Sequence, residues 1–207
     1  MPARSGRFIR LFRSDADRRP PTPTPICWSG FGRLIGDTYL DFPGVQEVEA
    51  LKGVNMSFRR RYITFDHNLL GTPTIWPSDT SITLGAKRLG ARLICDPKLL
   101  VDHYEYPRSK GDERKVMNIE AYTKKSHNIT YLLLKYLPWY RWPIFLLYSF
   151  LIGQQNTPGL FYDVTHRRLP RFNVLGASLR GKLLAFKTYR RWRSQQRQKV
   201  TQRQPAM

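Results

Sequence analysis

The stretch that decides the fold is SDTSITLGAKRLGARLICDPKLLVDH, residues 78–103. Ile82, Ala86 and Leu89 recur at helical spacing, which predicts a helix over 79–90 with one apolar face. Ser78 stands where an N-cap is needed, and Gly90 where a helix ends in the left-handed conformation. ARLIC (91–95) then reads as a short buried strand, Asp96-Pro97 as a turn, and KLLVDH (98–103) as a second strand.

Upstream, ICWSGFGRLIG (26–36) reads as strand and turn, punctuated by Gly30, Gly32 and Gly36. VQEVEALKG (45–53) is a further strand leading into VNMSFRR (54–60). Residues 1–25 are expected to be poorly ordered, because Pro20, Pro21, Pro23 and Pro25 favour an extended spacer over a helix. The first twenty residues hold no continuous apolar core, so no secretory signal is expected.

Downstream, a polar helix is expected at about 112–126. Residues 129–153, ITYLLLKYLPWYRWPIFLLYSFLIG, are dense in aliphatic and aromatic side chains but interrupted by Lys135, Pro138, Arg141 and Pro143. No run reaches the ~18–20 apolar residues of a membrane span. Tyr136, Trp139, Tyr140 and Trp142 cluster with the cations, a composition suited to the lipid–water interface. Two short helices lying on or dipping into a bilayer are therefore expected, with a helical hairpin buried in a protein core as the alternative.

Charge sharpens this division. Thirty-five Lys and Arg against 15 Asp and Glu give a formal charge of +20, which calls for a polyanionic partner. No acidic residue follows Asp163, while Arg180, Lys187, Arg190, Arg191 and Arg197 are among the cations there. Apolar residues make up 41% of the chain, which excludes wholesale disorder. Cys27 and Cys95 form neither a CxxC nor a Cys/His metal spacing, so a zinc site is not expected, and two isolated thiols suit a reducing compartment.

Three blocks, in this order, resemble the second half of a family 2 glycosyltransferase. LKGVNMSFRRRYI (51–63) is similar to the family's K-G-x-N-M-[SA]-F-R-R-E segment. Residues 78–103 align without a gap to its E-D-x-D-L-x-L-R-x-R-x-A-G-x-R-[LI]-x-Y-D-P-x-x-x-V-x-H pattern. HNITYLLLKYLP (127–138), with LIGQQNTPGL (151–160), looks like the membrane-proximal ends of bacterial members. The blocks cover roughly residues 26–162.

The resemblance implies an α/β fold: a partial GT-A glycosyltransferase-like C-terminal half, followed by interfacial or membrane-associated helices and a basic tail. The implied divisions are 1–25 as a basic, Pro-rich segment, 26–126 as the acceptor-side half, 127–162 as the membrane-associated segment and 163–207 as the tail. The family's N-terminal half binds the nucleotide-sugar and carries a DxD-type metal motif. No counterpart is expected here, since Asp15-Ala16-Asp17 lies in a basic, Pro-flanked stretch and follows no strand.

The resemblance also assigns chemistry. In inverting transfer a carboxylate takes the proton of the acceptor hydroxyl as its oxygen attacks the anomeric carbon and displaces the nucleoside diphosphate. The family's base is the second residue of its E-D motif, here Asp79; the flanking acidic positions are Ser78 and Ser81. Taken alone, Asp79 equally suits a first-turn carboxylate favoured by the helix dipole. Gly53 and Asn55 match a substrate-facing turn, where Gly53 permits a close backbone approach. His103 matches a position that meets metal or diphosphate, and is otherwise a strand-end histidine. A divalent metal (Mg or Mn), a nucleotide-sugar, a glycan acceptor and a partner chain carrying the donor half follow from the resemblance. An anionic membrane surface at the cytoplasmic face follows from it together with the aromatic and basic C-terminus.

Two other classes remain open. One is a non-catalytic membrane-associated remnant or partner subunit. The other is a nucleic-acid binder, in which Tyr189 and Trp192 of YRRWRSQQRQK (189–199) stack on bases between arginines. No known nucleic-acid motif accompanies that stretch, and cations beside an apolar aromatic segment more simply meet anionic lipid at ~1 kcal/mol each.

Overall fold

The computed structural model describes residues 27–35, 44–51, 55–71, 78–96, 98–99, 118–154, 157–162 and 171–203. The expected Pro-rich spacer, all but the first two residues of the strand expected over 98–103 and the start of the polar helix at 112 lie outside these residues; Lys98 and Leu99 are not strand but follow a turn closed by Leu99 N on Asp96 O (3.2 Å). Within them the chain mixes helix and short strands, as expected of an α/β fold, and divides into two compact units.

The first unit draws on Met1–Ser29, Arg33–Phe65 and Asp79–Gly111. Strands β1 (Cys27–Trp28) and β2 (Leu34–Ile35) pair antiparallel, Cys27 opposite Ile35. Strand β3 (Gln46–Glu47) pairs antiparallel with β4 (Ile94–Cys95), and a bond from Val48 N to Leu93 O (2.9 Å) extends the ladder. The backbone N–H of Trp28 donates to the Glu49 carboxylate, tying β1 to the segment after β3.

Between β3 and β4 runs helix α1 (Ser78–Arg88). The helix includes Ser78, so the residue expected as its cap is its first member. Gly90 ends it as expected: its φ of 86° is left-handed, and Gly90 N donates to Lys87 O. Ala91 N returns to Ala86 O, turning the chain into β4. Val48, Ala50, Ala86 and Leu93 form the core, with Phe58, Tyr62 and Cys95 packed against it.

The second unit draws on Gly30–Gly32, Asp66–Ser78 and Asp112–Met207 and is helical. Helix α2 spans Ile119–Tyr136, and Asn118 caps it by accepting from Ala121 N at 2.7 Å. This corrects the expectation of a polar helix ending near 126 and a separate apolar one beginning near 129. The polar face of the first and the apolar face of the second belong to one helix, which stops only at Leu137, where Pro138 follows. A 3₁₀ turn (Trp139–Arg141) leads into α3 (Trp142–Leu151), with Pro143 in its first turn. Strands β5 (Gly153–Gln154) and β6 (Thr157–Pro158) pair, and α4 (Arg171–Arg203) closes the chain.

Helices α2 and α4 run parallel, because their contacts climb both in the same direction. Tyr122 packs on Val174 and Ala177, Ser126 bonds to Ser178, Tyr131 and Leu132 pack on Ala185, and Lys135 sits over Trp192. Small residues line this seam on α4: Ala177, Ser178, Gly181 and Ala185. A Cβ on Gly181 would fall 2.3 Å from Thr123 O, so only glycine admits this approach. Helix α3 runs antiparallel to α4, with Trp142 against Tyr189 at one end and the Ser149 carbonyl on Lys182 at the other. Leu132, Leu133 and Leu134, within the stretch expected to meet lipid, are buried by protein.

Candidate functional site

Of the four residues singled out by the resemblance, Asp79 and Asn55 are described; Gly53 and His103 lie outside the described residues. Asp79 is half-buried in the first turn of α1, where the helix dipole favours a carboxylate. Its neighbours Thr80 and Ser81 are buried. Thr83 Oγ1 donates back to the carbonyls of Asp79 (2.9 Å) and Thr80 (3.0 Å). Ser81, at a position where the resembling family carries a second Asp, is therefore a core residue of this unit.

Asn55 is exposed, and its Nδ2 donates to Leu99 O at 2.8 Å. That bond ties the turn of the first matching block to the segment after β4, which belongs to the second. Both blocks share one core through Phe58, Tyr62, Ala86 and Leu93. Arg59, Arg60 and Arg61 are exposed, and Arg61 stacks over the Tyr62 ring at 4.8 Å, a solvated basic face. Cys95 is half-buried, and burial together with Asp96 pushes its thiol up, away from nucleophilic use.

The second unit contains a polar cluster that the sequence reading did not assemble. Asp66 Oδ2 accepts from Lys135 Nζ at 2.7 Å. Its Oδ1 accepts from Asn68 N (3.1 Å), Asn68 Nδ2 (3.0 Å) and Tyr131 OH (3.3 Å). Burial pushes the Asp66 carboxyl up, but the bonds from Lys135 and Asn68 outweigh it and hold the group below its ordinary value. Burial, with the Asp66 charge beside it, pushes the Tyr131 phenol up.

One turn earlier on α2, Asn128 brackets Leu70, accepting from its N–H (2.8 Å) and donating to its carbonyl (2.9 Å). His127 Nδ1 lies 2.9 Å from Asn128 Oδ1, and Nε2 lies 2.9 Å from Thr188 Oγ1. Burial lowers the His127 pKa. These groups are paired and enclosed, which makes them a clamp holding Asp66–Gly71 to α2. The available signals were the polar His127-Asn128 pair ahead of an apolar run and the Asp66-x-Asn68 spacing of an Asx turn.

Among the described residues no group of three or more His, Cys, Asp or Glu could hold a metal ion. The divalent metal implied by the resemblance thus has no fitting donor set among those residues. No described helix is long and apolar enough to cross a membrane. No protein-family model, curated protein or solved structure matches the chain.

Proposed function

We propose that this chain is a glycosyltransferase-like protein. It would serve sugar transfer from a nucleotide-sugar to a cell-envelope or polysaccharide acceptor at the cytoplasmic face of a membrane, as the acceptor-side half of a GT-A architecture. The observation that carries this is the joint folding of the two matching blocks. Residues 55–62 and 79–95 close around one core, and Asn55 is tied to the chain after β4. Asp79 is half-buried in the first turn of α1, while the neighbouring Thr80 and Ser81 are buried.

In this role Asp79 accepts the acceptor hydroxyl's proton as that oxygen bonds to the anomeric carbon. The bond from that carbon to the diphosphate breaks, and its electron pair leaves with the nucleoside diphosphate. Asn55 and Gly53 belong to the turn that meets the substrate. The nucleotide-sugar is held by the donor half of that architecture, outside the residues of the two blocks.

A second reading keeps the membrane association without turnover, as a partner subunit. It is favoured by Ser78 and Ser81 at the other two motif positions, which leave Asp79 as the one acid of the three, and by the burial of Ser81. The test uses membranes from source cells, which hold the donor half, deleted for this gene and expressing the full chain from a plasmid, incubated with labelled UDP- and GDP-sugars and Mg²⁺ or Mn²⁺. Glycan labelling above that of vector-control membranes is expected. Labelling equal to the control for every sugar would reject transfer and leave the second reading.

A further inference from the structure

Apolar residues left outside the core of the second unit concentrate on α3 and its flanks. Trp139, Tyr140, Ile144, Leu147, Ile152 and Phe161 are each at least half exposed, Trp139 at 77% and Leu147 at 63%. Ile144 and Leu147 share the outer face of α3, a helix without a single charged residue. Trp142 Nε1 donates to Leu137 O (3.1 Å), fastening the 3₁₀ turn and its aromatics to the start of α3. At the other end Phe161 N donates to Leu151 O (2.7 Å) and Leu160 N to Phe150 O (2.9 Å), which folds Phe161 against the helix terminus.

Those same bonds remove the polarity of that terminus. The last carbonyls of a helix have no partner within it and normally bond to water. Here Phe150 O, Leu151 O and Ile152 O accept from Leu160, Phe161 and Gly159, and Ser149 O accepts from Lys182 Nζ. Lys182 is itself buried and also donates to Pro158 O at 2.9 Å. The helix end is closed by protein on every carbonyl from 149 to 152, the condition for placing backbone in apolar surroundings.

Charge names the occupant. The outward face of α4 exposes Leu183 and Leu184 between Arg180, Lys187, Arg190 and Arg191, and no acid follows Asp163 in the sequence. Exposed aromatics beside Arg141, an uncharged helix with closed ends and a cationic face with leucines set in it suit a bilayer rich in anionic phospholipid.

We infer that α3, with Trp139–Arg141 before it and Leu160–Phe161 after it, lies in the interfacial layer of an anionic phospholipid bilayer, and that the cations of α4, on its side turned away from α3, add longer-range attraction to the charged surface. This rests on the membrane part of the proposed function and narrows it to one face. Lipid contact belongs to α3 and its flanks, whereas the leucines of α2 are spent within the protein. Ten residues of helix reach about 15 Å, half of a hydrocarbon core, so α3 lies along the interface.

The test is co-sedimentation of the full chain with phosphatidylcholine vesicles, with and without phosphatidylglycerol. Ile144→Glu/Leu147→Glu alters exposed positions only, so its circular dichroism melt should match wild type. Its partition onto phosphatidylglycerol vesicles should fall by more than about tenfold. Arg190→Glu/Arg191→Glu should weaken the dependence on phosphatidylglycerol. Equal partition of the Ile144/Leu147 variant and wild type would overturn the inference. So would a lipid-free dimer that this variant abolishes, since a second copy would then cover the face. Sugar transfer is not read in this assay, so vesicle binding without glycan labelling rejects only the enzymatic proposal.

Discussion

Lys135 Nζ reaches Asp66 Oδ2 at 2.7 Å, joining the last turn of α2 to a segment 69 residues earlier, with both side chains nearly excluded from solvent. Breaking one side of a buried pair strands the other charge. Asp66→Asn should lower the stability of the second unit by about 3 kcal/mol. Chemical denaturation followed by tryptophan fluorescence measures this. Adding Lys135→Met should recover part of the loss, and an unchanged midpoint in the single variant would show that the pair contributes nothing.

Acid should act on the same cluster in two steps. The His127 pKa is lowered in the fold, so the unfolded chain takes up this proton first and stability declines as pH falls below about 6.5. Asp66 is also lowered, so its contribution is present above the ordinary carboxylate value of 3.8 and is lost as pH falls through the folded value. Melting temperature against pH should show both declines, and His127→Gln should remove the first alone.

Lys182 predicts the opposite end of the scale. Burial lowers its pKa from 10.5 to about 8, so between these values the unfolded chain holds a proton that the folded chain has released. Stability should rise with pH across that window, while below pH 8 the penalty is fully present. Lys182→Met should flatten this alkaline rise. A variant with the same alkaline profile as wild type would refute the assignment.

The parallel α2–α4 seam depends on Gly181. Gly181→Val places atoms against Thr123 O and Ser126 Cβ, so the helices must separate. A loss of about 1–3 kcal/mol is expected, read as a lower thermal midpoint. Gly176→Val, at a position with nothing within 4 Å of its Cβ, is the control and should change stability far less.

The first unit was largely legible in the sequence. Ile82 and Ala86 marked α1 and Gly90 its end, although Leu89 falls past the helix and is exposed, and Ile94–Cys95 fell within the expected ARLIC strand, with Ile94 exposed rather than buried. These are local signals, and local geometry obeyed them. The second unit was less legible because its determinants are distant pairs. His127 and Asn128 looked like a boundary, yet they are buried inside α2 because Thr188 and the Leu70 backbone satisfy them. Helix α4 was expected only as a basic tail, since its packed stripe consists of Ala177, Ser178, Gly181 and Ala185 and gives little hydrophobic periodicity. Asp79 and Asn55 enter the candidate site through the resemblance alone, whereas the Asp66–Lys135 clamp required the fold.

The measurement that bears most directly on the proposed activity is sugar transfer in the same membranes with Asp79→Asn. The change keeps the size of the side chain and removes its capacity to take a proton. Transfer by the variant is expected to fall by about 10²–10⁴-fold, with an unaltered melt of the purified chain. Transfer at the wild-type rate would contradict Asp79 as the base and leave its carboxylate as a helix N-terminal group alone.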